Sequence, residues 1–176
     1  AIEMANSISQ EYGHKVKNLM PTNLYGPNDN FDRTNSHVIP GLIGRMFDAK
    51  KENSDFFEIW GSGTALREFL FVDDLAEAIY KVLKCSKKKL IKASFNKIPI
   101  FNVGSGESVT IKNLVTKIKN ITKFKGKIIF DKKYPDGTKN KNLDSKKIKS
   151  LNWKPKIKLD QGLKLVIESR SKIYET

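Results

Sequence analysis

An α/β fold is what this sequence predicts, because apolar runs of strand length alternate through most of its 176 residues with segments whose apolar residues recur every three or four positions. Composition agrees: 39% of the residues are hydrophobic and 10% aromatic, enough for a packed core at the length of one domain. Punctuation agrees as well, since Gly, Pro, Asn and Asp collect between the periodic runs.

The elements follow in order. Ile2, Ala5, Ile8 and Tyr12 stand at helical spacing, and Gly13 is placed to end that helix. No capping residue and no initiator methionine precede it, the expectation for a chain shortened at its N-terminus. Residues 15–20 read as a strand, and PTNLYGPNDNFDRTNS, 21–36, reads as a polar loop of a length that is usually functional. Ile39, Leu42, Ile43, Met46 and Phe47 make one helical stripe over 37–50, with Ser36 as N-cap and Pro40 tolerated in the first turn. FFEIW (56–60) and LREFLFV (66–72) read as strands around Gly61-Ser62-Gly63. Asp74 and Glu77 give a capping-box-like start to a helix carrying Leu75, Ala78, Ile79, Val82 and Leu83, which Cys85 ends as a structural thiol. After a Lys-rich connector, PIFNVGSGES reads as strand then turn, and Ile111, Leu114, Val115, Ile118 and Ile121 mark a helix beginning near Thr110. KIIF is a further strand, YPDGTKNKNLD a loop and 145–151 a short helix, and Asp160 opens a final helix with Leu163, Val166, Ile167 and Ile173.

Several function classes fall away on composition. One cysteine excludes an internal disulfide framework and a cysteine-based zinc site. No stretch approaches 18 uninterrupted apolar residues and no signal peptide is visible, so a soluble cytoplasmic protein without a membrane partner is expected. The net charge of +14 raises nucleic acid as a partner. Against that, only four of the 33 basic residues are Arg and the lysines are scattered, which favours a solvated surface and makes each Arg more informative.

Gly104-Ser105-Gly106 follows a strand, but the sixth position of a dinucleotide fingerprint is Val109, so a tight turn is the better reading. The loop at 21–36 carries more, since a strand emptying into a polar loop is where an open α/β sheet places its ligand. His37 closes that loop and opens a helix on which Arg45 lies about 80° away, both off the apolar stripe. Arg67 shares its side of a strand with Phe69 and Phe71. Two arginines in such settings suggest an anion such as a pyrophosphate, with surface salt bridges as the other explanation.

PTNLYGPNDNF, NSHVIP, WGSGTALREFLFVDDLAEAI, FNVGSGES, YPDGT and LNWKPKI occur in an order and spacing that resembles the GDP-L-fucose synthase family over nearly the whole chain. These are extended short-chain dehydrogenases/reductases that epimerise and then reduce GDP-4-keto-6-deoxy-mannose. The resemblance implies the C-terminal part of an NAD(P)-binding Rossmann-like fold with a smaller α/β substrate-binding domain. Residues 1–36 would be the last part of the core, and 37–176 mainly the substrate-binding region with interleaved core elements. It implies NADP(H) as cofactor, a GDP-sugar as substrate and a homodimer. By resemblance Pro21, Thr22, Asn23 and Leu24 lie along the nicotinamide end, and His37 touches the cofactor and is the acid that reprotonates the sugar. Arg45, Trp60, Arg67 and Asp136 match substrate-contacting positions.

The family's Gly-rich loop, catalytic Ser, base Cys and Tyr-x-x-x-Lys pair are implied to precede the helix with which the chain opens, so residues 1–176 alone are expected to bind NADP poorly and to lack reductase activity. Cys85 is in the wrong context to be the base. Phe71 stands where the family commonly has His, Tyr134 where it has Lys, and Asn140 where it has Arg, which bears on sugar preference. The alternatives are another nucleotide-sugar epimerase or dehydratase of the same superfamily, a basic nucleic-acid-binding module, or a catalytically dead structural remnant.

Overall fold

The computed structural model describes residues 1–32, 34–93 and 99–174. Helix α1 (Ile2–Tyr12) leads to β1 (Asn18–Pro21) and β2 (Asn23–Tyr25), then α2 (Val38–Lys51), β3 (Phe56–Trp60) and β4 (Leu66–Phe71). Helices α3 (Val72–Lys84) and α4 (Lys87–Ala93) follow, then β5 (Ile100–Val103), β6 (Ser108–Thr110), α5 (Ile111–Thr122), β7 (Lys127–Asp131), β8 (Asn140–Lys141), α6 (Lys146–Lys149) and α7 (Leu159–Tyr174).

The strands form three small groups: β1 beside β5, parallel; β3 beside β7, parallel; and β4 at the hub of the third, parallel to β2 and β8 and antiparallel to β6. The predicted strands around Gly61–Gly63 therefore do not pair with each other. Strand β2 falls inside the stretch read as loop because its ladder is supplied from a distance, Asn23–Tyr25 pairing with Phe69–Phe71, and no local pattern announces it. The same holds for β6 and β8, which pair with Leu66–Glu68. Helix α4 occupies the Lys-rich connector, because Lys is a good helix former.

Burial divides the apolar residues into two clusters. One gathers Ile39, Ile43 and Met46 of α2, Leu114 and Ile118 of α5, and Leu163 and Val166 of α7 around Phe57 and Phe69. The other gathers Phe101 and Val103 of β5, Ala78 and Val82 of α3, Ile148 of α6, Leu70 and Trp153. Strand β4 feeds both, Phe69 and Phe71 into the first cluster and Leu70 into the second. Phe71, one of the three departures from the resembled pattern, packs edge-on against Tyr25, with ring centroids 5.5 Å apart. Burial raises the Tyr25 hydroxyl well above its usual pKa, and the nearby Asp74 and Asp160 add to the shift.

Four local expectations are corrected. The N-cap of α2 is His37 rather than Ser36, and no side chain caps it. Helix α3 starts at Val72 with no side-chain cap, because Asp74 turns inward instead: 2% exposed, it accepts from Lys156 N at 2.9 Å and Ile157 N at 3.1 Å. The stripe of α3 is buried only at Ala78 and Val82, while Ile79 and Leu83 are exposed. Helix α1 forms, with its one buried residue Asn6 rather than a residue of the apolar stripe. Thr110 does cap α5, its hydroxyl accepting from Asn113 N at 3.1 Å.

Candidate active site

The loop ahead of α2 is shaped by its own side chains. Asp32 Oδ1 accepts from Thr34 N, Thr34 Oγ1 and Asn35 N, and these bonds hold its carboxyl below the usual range. Gly44 lets α2 pass close to the carbonyl of Phe31, and Gly41 leaves room for the hydroxyl of Ser36. His37 is thereby set at the front of α2, exposed, its carbonyl accepting the first helical bond from Gly41 N and its imidazole making no capping bond.

A cleft of about 610 Å³ opens beside it, lined by His37, Arg45, Trp60, Arg67 and Asp136 among others. Arg45 lies over the Phe57 ring at 5.4 Å; burial pulls its guanidinium below the usual range and Glu58 pushes back. Arg67 faces it from β4, its Nη1 donating to Leu66 O at 2.7 Å and Thr138 O at 2.6 Å. Asp136 accepts from Ser62 N at 2.8 Å and Ser62 Oγ at 2.6 Å, which lowers its pKa. The turn at 61–63 can take this carboxylate only because Gly61 has φ 84° and a Cβ there would come within 2.5 Å of Asp136 Oδ1. Trp60 and Tyr134 stack at the rim, centroids 4.6 Å apart and planes 19° apart.

A smaller pocket of about 170 Å³ adjoins the cleft, lined by Asn23, Leu24, Ser36, His37, Val38, Ile39 and Phe69. Ser36, His37 and Val38 line both spaces, so His37 stands on a shared wall. Pro21 and Thr22 line neither. Thr22 Oγ1 and Asn23 Nδ2 donate to the carbonyl of Glu68 at 3.1 and 2.8 Å, so their side chains shape the strip. The small pocket, lined by four apolar and three polar residues, has room for one flat ring and is too small for a whole dinucleotide.

Other features compete poorly. A cleft of about 780 Å³ at the ends of α2 and α5 is lined by Lys50, Lys123, Lys125 and Lys127, but these stand where helix C-termini favour cations, and Lys50 Nζ donates to Thr122 O. The Gly104–Gly106 turn does not present its amides to a phosphate, because Gly106 N donates to Glu68 Oε1. Tyr80 and Lys84 reproduce the Tyr-x-x-x-Lys spacing, which the sequence reading placed only ahead of the chain. They lie on the exposed side of α3, Lys84 Nζ 5.7 Å from the Tyr80 ring centroid, and line neither site pocket. Among the described residues no cluster of His, Cys, Asp and Glu could hold a metal ion, and no helix is long and apolar enough to cross a membrane.

Ser62 and Glu68 were missed as site-building residues. The only signal for Glu68 was a carboxylate inside the apolar run REFLF, and Ser62 had none.

The sequence pattern of the NAD dependent epimerase/dehydratase family matches residues 1–104. GDP-L-fucose synthase 1 of Arabidopsis thaliana is 43% identical over 153 residues, 87% of this chain and 45% of its own length. GDP-L-fucose synthase of Escherichia coli is 40% identical over 162 residues, 92% of this chain and 50% of its own. A GDP-mannoheptose C4 reductase of Campylobacter jejuni, solved with NADP bound, superposes with a TM-score of 0.80 at 34% identity, covering 99% of this chain and 54% of that one. The chain thus spans about half the length of the curated relatives it matches. On the match that covers more than half of its residues, the chain belongs to the NAD dependent epimerase/dehydratase family.

Proposed function

We propose that the protein carrying this chain is a GDP-L-fucose synthase, converting GDP-4-keto-6-deoxy-D-mannose to GDP-L-fucose by 3,5-epimerisation and 4-reduction with NADPH. The observation that carries this reading is the place of His37, on the wall between a cleft that holds two arginines and a pocket of nicotinamide size. The 4-keto group acidifies the protons at C3 and C5; at each carbon in turn a base removes the proton and an acid returns a proton on the opposite face. His37 is the acid, its ring uncommitted to the amides of α2 and open to the cleft. Arg45 and Arg67 hold the diphosphate, and Asp136 with Ser62 fixes the rim near the sugar or ribose. NADPH, when bound, supplies the hydride that reduces C4.

On this reading the base and the tyrosine–lysine pair come from elsewhere in the protein. Residues 1–176 alone then bind GDP without turning the sugar over; reduction of the keto sugar by this chain by itself, followed by NADPH absorbance, would contradict that. Calorimetry tests the anion site: Arg67→Lys is expected to raise the GDP dissociation constant by about tenfold, because a lysine cannot hold Thr138 O and a phosphate oxygen with one planar fork. Equal affinity in the two proteins removes Arg67 from the site.

A second reading, a reductase of another GDP-sugar, is favoured by Tyr134, which stacks on Trp60 where the family pattern has Lys and so changes the rim. The GDP-mannoheptose reductase at 34% identity fits this equally well. Turnover of the longer protein with a GDP-4-keto-heptose against the 6-deoxy sugar separates the two.

A further inference from the structure

Glu68 is a buried carboxylate, 1% exposed, to which no catalytic role falls. Its two oxygens serve different segments: Oε1 accepts from Gly106 N at 2.7 Å in the β5–β6 turn, and Oε2 accepts from Leu143 N at 2.9 Å just beyond β8. Its main-chain oxygen accepts from Thr22 and Asn23 beside the small pocket. The next residue back, Arg67, points the opposite way on β4 and donates to Thr138 O, in the same segment that Leu143 ends. Gly104 is placed so close to the carboxylate that a Cβ would collide with it, so the turn and Glu68 are built for each other.

We propose that Glu68 is a positioning residue for the nucleoside diphosphate: by pinning Leu143 it fixes the 136–143 segment, and hence the partners that aim Arg67 across the cleft, in register with the strip at Thr22 and Asn23. This rests on the reading that the cleft takes the GDP moiety. A neutral isostere cannot reproduce the pin, because a carboxamide has one acceptor oxygen and its NH₂ group would face the second N–H. One buried donor then goes unmatched.

Asp74 supplies the control. It is the same kind of group, a carboxylate 2% exposed that accepts two backbone N–H bonds, from Lys156 and Ile157, but it holds a segment that does not line the cleft. Glu68→Gln and Asp74→Asn are both expected to lower the melting temperature. Only Glu68→Gln is expected to weaken GDP binding, by about five- to tenfold at a temperature where both variants are fully folded. Only Glu68→Gln should alter the Arg67 Nε–H resonance and speed hydrogen exchange at Leu143. Should Glu68→Gln not fold, the unmodified chain still decides, since GDP bound at Arg67 should slow exchange at the Leu143 and Gly106 amides, neither of which lines the cleft.

Equal GDP affinities for the two variants with an unchanged Arg67 resonance, or no GDP-induced protection at those amides, reduce Glu68 to a stability element and overturn the proposal. Failure of the unmodified chain to bind GDP at all sinks the nucleotide reading of the cleft instead. In that case an unchanged Arg67 resonance in Glu68→Gln separately shows that the pin does not aim Arg67.

Discussion

If the protein is the GDP-L-fucose synthase proposed above with His37 as its acid, replacing His37 by Ala lowers turnover of GDP-4-keto-6-deoxy-mannose by about 10²- to 10⁴-fold, the usual contribution of a positioned general acid, while GDP affinity stays within about twofold. The separation follows from geometry. His37 is exposed at the shared wall, where a sugar extending from the two arginines would meet it, and its imidazole caps no amide of α2, so truncation leaves the main-chain bond to Gly41 intact. On the proposed reading, truncating it removes the proton donor, while the bonds that hold Arg67 to Thr138 O and Asp136 to Ser62 N stay in place. The measurement is steady-state turnover in the complete enzyme, paired with calorimetry of GDP. Deuterium uptake from solvent at C3 and C5 adds the step-specific readout: the variant should lose incorporation in proportion to turnover. A variant that keeps more than about a tenth of the activity would hand the proton to another group.

Trp153→Ala carries the largest expected stability loss, about 3–5 kcal/mol, the range for deleting a buried large aromatic. Trp153 is 1% exposed and fills the second cluster against Leu70, Val82, Phe101 and Ile148. Its indole Nε1 donates to Asp74 O at 3.1 Å. The substitution therefore leaves a cavity and an unmatched carbonyl in one stroke. Trp153→Phe keeps most of the volume and loses the hydrogen bond, so about 1 kcal/mol is expected. Urea denaturation of both variants against the unmodified chain measures the difference; a loss under about 1 kcal/mol for the alanine variant would mean that the cluster collapses onto the gap. The side chain reaches neither site pocket, so GDP affinity below the transition should not move.

What the sequence disclosed was periodic or local. The stripes of α2, α5 and α7 and the start of α5 near Thr110 could be read because helical spacing is written within a dozen residues. The pairing of His37 with Arg45 on one flank of α2 followed from the same arithmetic, and both line one cleft. What stayed hidden depends on residues far apart in the chain. Strand β2 exists because β4 is beside it, and Asp136 meets Ser62 across 74 positions. Asp74 matched a capping pattern by spacing alone, yet burial beside the 153–157 segment recruited its carboxylate elsewhere. The apolar stripe of α1 shows the reverse case, a pattern present in the sequence without a described element to bury it.

Strand β4 sets a limit on how this chain can change its length over evolutionary time. Arg67 faces the cleft, Glu68 holds two distant turns, and Phe69 and Leu70 enter opposite cores, so successive residues serve different clients on alternate sides. A single inserted or deleted residue in 66–71 would exchange the sides, turning a carboxylate toward the cleft and an arginine into the interior. Substitutions of like size should be tolerated there, whereas gains and losses of residues should be tolerated only in the connecting loops, so the six-residue length of this strand is expected to be the least variable measure of the chain.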